Sequence, residues 1–110
     1  MNEKYNKHDW KLFMQKLPQW QEQHMEKLCS EYVKILSKDT LPSERFWELE
    51  KRIREDKRHT GVSTRISRSN MDINILSLIR EDVITLNDLD EFSNELKDSM
   101  QLILDRTSPC

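Results

Sequence analysis

Few residues in this chain carry side chains that commonly do chemistry, and their spacing fits no catalytic or metal site. Three histidines and two cysteines are spread over 110 residues. His24 and Cys29 are five residues apart, so they lie about 140° apart around a helix, on different faces. We interpret His24 as a hydrogen-bonded core histidine and Cys29 as a small packed side chain. The single glycine cannot build a phosphate-binding loop. We therefore predict no catalytic residue, no metal site and no cofactor, and a protein that is not an enzyme.

A basic surface that binds an anion is the remaining chemistry to consider. The basic residues that could form it are Lys51, Arg54, Arg58, Arg65 and Arg68. With Trp47 as a stacking surface and the 57–68 loop, which has no acidic residue, they form a candidate nucleic-acid contact. The competing interpretation is a solvated face, because Glu48 and Glu50 lie four residues before two arginines and can pair with them. A net charge of −2 favours the solvated face, so we do not expect nucleic acid as the partner.

Composition predicts an all-α fold in one domain. One glycine and three prolines leave little room for the turns of an all-β protein. A chain of 110 residues is close to the common size of a domain. We expect a small helical bundle of about five helices built from helical hairpins, a single domain over 1–110 with frayed ends at 1–7 and 107–110.

The same composition predicts a location in the cytoplasm. The sequence has no apolar run long enough to cross a bilayer and no apolar signal segment after its first residues. Two cysteines do not make a disulfide framework. We therefore expect a reducing compartment and no membrane contact.

The strongest helix signal runs from Pro42 to His59. Pro42 suits the first turn of a helix, Thr40 can act as the N-cap, and Gly61 can take the left-handed position after the last turn. An apolar seam follows the helical spacing of Phe46, Leu49 and Ile53. The seam predicts that Leu49 and Ile53 belong to the core.

Four further helices are predicted around this one. Pro18 predicts a break between a short first helix and a second helix over about 18–37, because the residue before a proline is pushed out of the helical region. The fourth helix is expected over about 70–82. The fifth is expected over about 86–106, with Thr85 beginning a capping box.

The fourth helix is apolar over a wider arc than one neighbour can cover. This width, together with a tryptophan that stands off its helix's seam, predicts a homodimer. The candidate interface residues are Trp47, Ile73, Leu76 and Ile79. The competing explanation is that the fourth helix is central within the monomer and covered by its own neighbours.

Three blocks of sequence resemble a known family. They are Leu17-Pro18-x-Trp20, Pro42-Ser43-x-x-Phe46-Trp47-x-Leu49-Glu50-x-Arg52-Ile53 and Asp88-Leu89-x-x-Phe92-Ser93-x-x-Leu96. Together they resemble a family of small uncharacterised bacterial proteins, some labelled "multidrug transporter" by inheritance. The resemblance covers most of the chain and implies no functional residue. The transporter label conflicts with a sequence that has no membrane span.

Two functions follow as hypotheses. The first is a non-enzymatic, cytoplasmic, helical protein–protein interaction module that self-associates as a homodimer. Such a module could also bind an unknown protein partner. The alternative is a nucleic-acid-binding regulator that uses the basic helix face and the 57–68 loop.

Overall fold

The computed structural model describes residues 7–63 and 67–107, and within them the chain forms four α-helices and no strand. The helices are α1 (Lys7–Leu36), α2 (Pro42–Asp56), α3 (Met71–Arg80) and α4 (Asn94–Thr107). Short 3-10 helices, Arg68–Asn70 and Leu86–Leu89, precede α3 and α4. The all-α prediction is confirmed, but the α-helices number four rather than five. Apart from Lys7 and Thr107, which are helical, the ends predicted to fray lie outside the described residues.

The first two predicted helices are one helix. α1 is a continuous helix of 30 residues that includes Pro18, so the predicted break is wrong. Buried Leu17 and Trp20 hold the turns beside the proline in the same core. Pro18 has no N–H, so the Met14 carbonyl oxygen one turn earlier lacks its usual helical donor. Both residues are exposed, so water can reach this oxygen.

The hydrophobic core lies between the first half of α1, α3, α4 and the segment that joins α3 to α4. Its buried members are Leu12, Phe13, Leu17, Trp20, Met71, Ile75, Leu78, Ile84, Leu89, Phe92, Leu96 and Met100. α2 contributes no buried apolar side chain. The expectation that Leu49 and Ile53 belong to the core is therefore wrong: Leu49 is half-buried and Ile53 is exposed.

The rest of the molecule is an elongated helical hairpin. We call residues 25–36 of α1 together with α2 the arm. The radius of gyration is 16.8 Å, against about 13 Å for a compact chain of similar length, and the molecule measures 56 × 33 × 22 Å. The difference arises because the core gathers around the first half of α1, while the second half extends away from it with α2 packed alongside.

Three predicted helix boundaries differ from the structure. The N-cap of α2 is Leu41 rather than Thr40, with no side-chain cap. α2 ends at Asp56 rather than His59. Asp82 takes the left-handed conformation after α3, with φ of 61°, and the Val83 N–H donates to the Leu78 carbonyl at 2.9 Å. This Schellman-type ending confines α3 to ten residues, so the predicted 70–82 helix is shorter than expected.

The predicted fifth helix is divided in two. The capping box at Thr85 is confirmed, since the Thr85 N–H donates to Asp88 Oδ2 at 2.7 Å, but it begins only the short 3-10 helix. A separate helix, α4, begins at Asn94. It is capped by the Ser93 hydroxyl, which accepts from the Leu96 N–H at 3.2 Å. The fully buried carboxylate of Asp9 in turn accepts from the Ser93 hydroxyl at 2.6 Å and N–H at 2.8 Å. This contact ties the start of α1 to the start of α4, which explains the interruption.

His24 is buried where the arm meets the bundle, but it is not the hydrogen-bonded histidine that the sequence suggested. Neither ring nitrogen has a hydrogen-bond partner among residues 7–63 and 67–107. Burial lowers the pKa of His24, against a smaller opposing effect of the Glu81 carboxylate. Cys29, five residues further along, is exposed, so its prediction as a packed side chain is wrong.

Gly61 packs against His24 and does not take the predicted left-handed conformation, since its φ is not positive. A Cβ atom there would lie 2.6 Å from Val83 Cγ2 and 2.7 Å from His24 Cδ2. The Gly61 N–H also donates to the Glu81 carboxylate at 3.1 Å, as does that of Thr60. Residues 57–63 of the 57–68 loop are thus fastened to the core at Gly61 and Thr60; residues 64–66 lie outside the described part.

We expect Gly61→Ala to lower the free energy of unfolding by about 1–3 kcal/mol, because it inserts a methyl group into an occupied space. Ser63→Ala, at an exposed site two residues on, should stay within about 0.5 kcal/mol. Urea denaturation of the two variants checks this. Equal stability of Gly61→Ala and the unmodified protein would show that the contact with His24 and Val83 is loose.

Candidate interaction surface

The apolar seam of α2, formed by Phe46, Leu49 and Ile53, faces away from the protein. Phe46 is 61% exposed and Ile53 37%, while Leu49 is half-buried. Trp47, 63% exposed, extends the patch, because its ring lies edge-on to Phe46 with centroids 4.9 Å apart. The seam lines an open groove of about 310 Å³ whose rim is formed by Glu50, Arg54 and Lys57. An amphipathic helix therefore presents much of its apolar side to solvent.

The buried side of α2 is polar, and it centres on Asp56. This carboxylate is the one buried residue of α2. Its Oδ2 atom accepts from the Tyr32 hydroxyl at 2.6 Å and from Arg52 Nε at 3.0 Å. Arg52 also pairs with Glu31, and its guanidinium lies 5.8 Å from the centre of the Tyr32 ring. These four side chains, Glu31, Tyr32, Arg52 and Asp56, form what we call the Asp56 cluster.

The Asp56 cluster explains why the seam points outward. Residues that contact α1 or its end recur at positions 45, 52 and 56, whereas the seam follows positions 46, 49 and 53. The two patterns differ by a rotation of α2 of about 70°. A buried carboxylate is stable only when it is hydrogen-bonded or paired, so Asp56 must face Tyr32 and Arg52. That orientation leaves Phe46 and Ile53 at the solvent side.

Two further contacts hold the start of α2 against the end of α1. Arg45 Nη1 donates to the Leu36 carbonyl oxygen at 3.0 Å. Lys38 Nζ lies 2.6 Å from Glu48 Oε2, in an exposed ion pair of a class that contributes at most about 1 kcal/mol. Beneath the helix, Leu28 and Ile35 are buried one turn before and one turn after the cluster residues of α1. The arm thus combines a small apolar contact with a larger polar one.

The pKa values of Tyr32, Glu31 and Arg52 are shifted in directions that favour the observed contacts. Burial, and then the hydrogen bond to Asp56, raise the pKa of the Tyr32 phenol to about 12. The hydrogen bond from Arg52 lowers the pKa of Glu31, and the same bond raises the pKa of Arg52. The phenol therefore stays protonated and donates to Asp56 across the physiological range.

The described residues of the predicted basic stripe lie in different surroundings. Arg54 is bound to Glu50 four residues earlier, as expected, and this contact lowers the pKa of Glu50. Lys51 lines a groove of about 470 Å³ that also contains three acidic side chains. Arg58 is exposed and Arg68 is half-buried, while Arg65 lies outside the described residues. The expected pairing of Glu48 with an arginine of α2 is replaced by its contact with Lys38.

The predicted interface residues are divided between α2 and α3. Leu76 and Ile79 are partly buried against the core, so α3 is covered largely by its own neighbours. Ile73 is 61% exposed. The arm packs through α1 and α2, and Ile73 belongs to the bundle instead. The sequence pattern did identify the seam, but it assigned the seam to the core rather than to the surface.

Two kinds of site are absent from residues 7–63 and 67–107, a membrane span and a metal site. There, no helix has both the length and the apolar character to cross a bilayer. No group of three or more His, Cys, Asp or Glu side chains in residues 7–63 and 67–107 is placed to hold a metal ion.

Comparisons with known proteins leave the geometry of the chain as the guide to its function. No protein-family model matches the chain, and no curated protein and no solved structure matches it. The resemblance carried by the three sequence blocks therefore stays a prediction.

The raised pKa of Tyr32 can be tested by titration. In a Tyr5→Phe background Tyr32 is the only tyrosine, and we expect tyrosinate absorbance to rise with a midpoint near pH 12 instead of the ordinary value of about 10. Adding Asp56→Asn removes a negative charge beside the phenolate, so the midpoint should fall. Glu55→Gln, an exposed neighbour, should leave it unchanged. A midpoint near 10 before any change at Asp56 would show that the hydroxyl is not held in the cluster.

Proposed function

We propose that this protein is a non-enzymatic, cytoplasmic interaction module that self-associates as a homodimer through α2. The observation that carries the proposal is the outward orientation of the α2 seam. A helix whose polar residues face its own protein and whose Phe46, Trp47 and Ile53 face solvent is organised for contact with another surface. A second copy of the chain brings the same apolar residues to that contact.

The apolar surface available supports at most a weak dimer. Full burial of a large apolar side chain stabilises by about 1.5–3 kcal/mol, and Phe46 and Trp47 each still expose roughly three-fifths of their surface. A two-fold dimer covers these side chains twice. The loss of freedom on association costs about 4–15 kcal/mol, which offsets much of the gain. Since the gain and the cost are of similar size, the association is weak, and the tests below are run at micromolar concentrations.

The nucleic-acid-binding alternative receives less support. Arg54 is occupied by Glu50, and Lys51 lies among acidic side chains. Binding to nucleic acid depends on cations that replace counterions along the phosphate backbone, and neutralised arginines replace few. A different protein with an apolar helix is the remaining competitor for the seam, and a monomeric state would favour it.

Self-association is tested by light scattering during size-exclusion chromatography at tens of micromolar. We expect a dimer mass for the unmodified protein and a monomer mass for Phe46→Glu, because the substitution places a charge in the shared seam. Ile73→Glu is a matched control, since Ile73 on α3 is also 61% exposed. It should remain dimeric.

Three outcomes contradict the proposal. A monomer mass for the unmodified protein rules out self-association at these concentrations. A monomer produced by Ile73→Glu but not by Phe46→Glu moves the interface to α3. A dimer that survives both substitutions moves it away from both helices.

A further inference from the structure

We infer that the two copies pair α2 against α2 in antiparallel orientation, about a two-fold axis that passes beside Leu49 and Glu50. This inference rests on the self-association proposed above and specifies the partner surface: the same helix of a second copy, reversed. Three features of α2 point to this orientation, namely the symmetry of the seam, the distribution of charge along the helix and the ion pair at its centre.

The seam is symmetric about the middle of α2. Phe46 and Ile53 are equally distant in sequence from the point between Leu49 and Glu50. An antiparallel pair centred there places Phe46 of one copy beside Ile53 of the other, twice over. A large ring then faces a smaller branched chain, an arrangement that interdigitates well. A parallel pair would place Phe46 on Phe46 and Ile53 on Ile53.

The charges beside the seam are gathered towards one end of α2. Along the groove, Glu50 lies at the middle, and both bases, Arg54 and Lys57, lie towards the C-terminal end. In antiparallel orientation the basic ends of the two copies lie at opposite ends of the contact, and the helix dipoles oppose each other. In parallel orientation the like-charged ends would meet and the dipoles would align, both unfavourably.

Glu50, which lies beside the two-fold axis, is paired with Arg54 of its own helix. Glu50 would meet its counterpart across the two-fold axis, and two bare carboxylates there would repel. Arg54 donates to both Glu50 oxygens, with Nε 3.1 Å from Oε2, so each carboxylate is already neutralised within its own copy. The groove that contains this pair is open and continuous with the seam, so it admits the opposing helix.

The length of α2 sets the size of the contact. Fifteen residues of helix span about 22 Å, shorter than the contact of a permanent dimer. Interfaces below about 1,200 Å² belong to the weak and transient class. A reversible dimer with fast exchange is what such a contact gives, and a chemical crosslink is the suitable way to record its orientation.

Disulfide trapping distinguishes the two orientations. In a Cys29→Ser, Cys110→Ser background, Ser43→Cys and Lys57→Cys place thiols at opposite ends of α2, both at exposed positions. The two variants are prepared separately, one with a longer affinity tag, then mixed and mildly oxidised. We expect the mixed disulfide between positions 43 and 57 to exceed either homodisulfide at least tenfold by mass spectrometry. Glu44→Cys replaces Ser43→Cys in the control, because position 44 lies about 100° further around the helix. It should give at most a tenth of the mixed product.

Each other result overturns a defined part of the account. Homodisulfides in excess of the mixed product show a parallel pair, which overturns the antiparallel arrangement and leaves self-association through α2 intact. Equal mixed product from Ser43→Cys and Glu44→Cys shows random collision and overturns the arrangement. Absence of all disulfides in a protein that light scattering shows to be dimeric places the interface outside α2. A monomer overturns the proposed function itself, and this inference with it.

Discussion

The arrangement of this protein depends on one buried carboxylate. Asp56, 4% exposed, accepts a hydrogen bond from Tyr32 of α1 and, together with the pairing of Arg52 with Glu31, fixes how α2 is rotated against α1. Polar contacts of this kind are directional, whereas apolar contacts tolerate rotation. The rotation that satisfies Asp56 sends Phe46 and Ile53 to the outside. A structural requirement of the monomer thereby creates an exposed apolar surface.

Stability and the proposed association are assigned to different halves of the molecule. The core around the first half of α1 holds α3 and α4 with large apolar side chains and the buried Asp9–Ser93 contact. The arm has two buried apolar residues in α1, Leu28 and Ile35, and otherwise depends on ion pairs and hydrogen bonds. Changes on the exposed side of α2 can therefore alter association without disturbing the core.

Much of the fold could be predicted from sequence because it is encoded locally. The start of α2 at Pro42, the capping box at Thr85 and the apolar arcs of α3 and α4 all follow from short-range patterns. The facing of α2 could not be predicted, because it depends on a bond between Tyr32 and Asp56, 24 residues apart. The continuity of α1 through Pro18 likewise comes from the core on both sides of the proline. The sequence drew attention to Gly61 for a reason that the structure replaces. Close packing against His24 requires a glycine there, and not a left-handed backbone conformation.

The central claim is that the seam of α2 is covered by a second copy of the chain. The most direct test is a dilution series followed by amide NMR of the isotopically labelled protein, from hundreds of micromolar to a few micromolar. The account predicts concentration-dependent shifts concentrated in the amides of Phe46, Trp47, Glu50 and Ile53, with those of Ile75 and Leu78 in the core unchanged. Amide positions in α2 that do not move over that range, or shifts concentrated in α3 or α4, would contradict it.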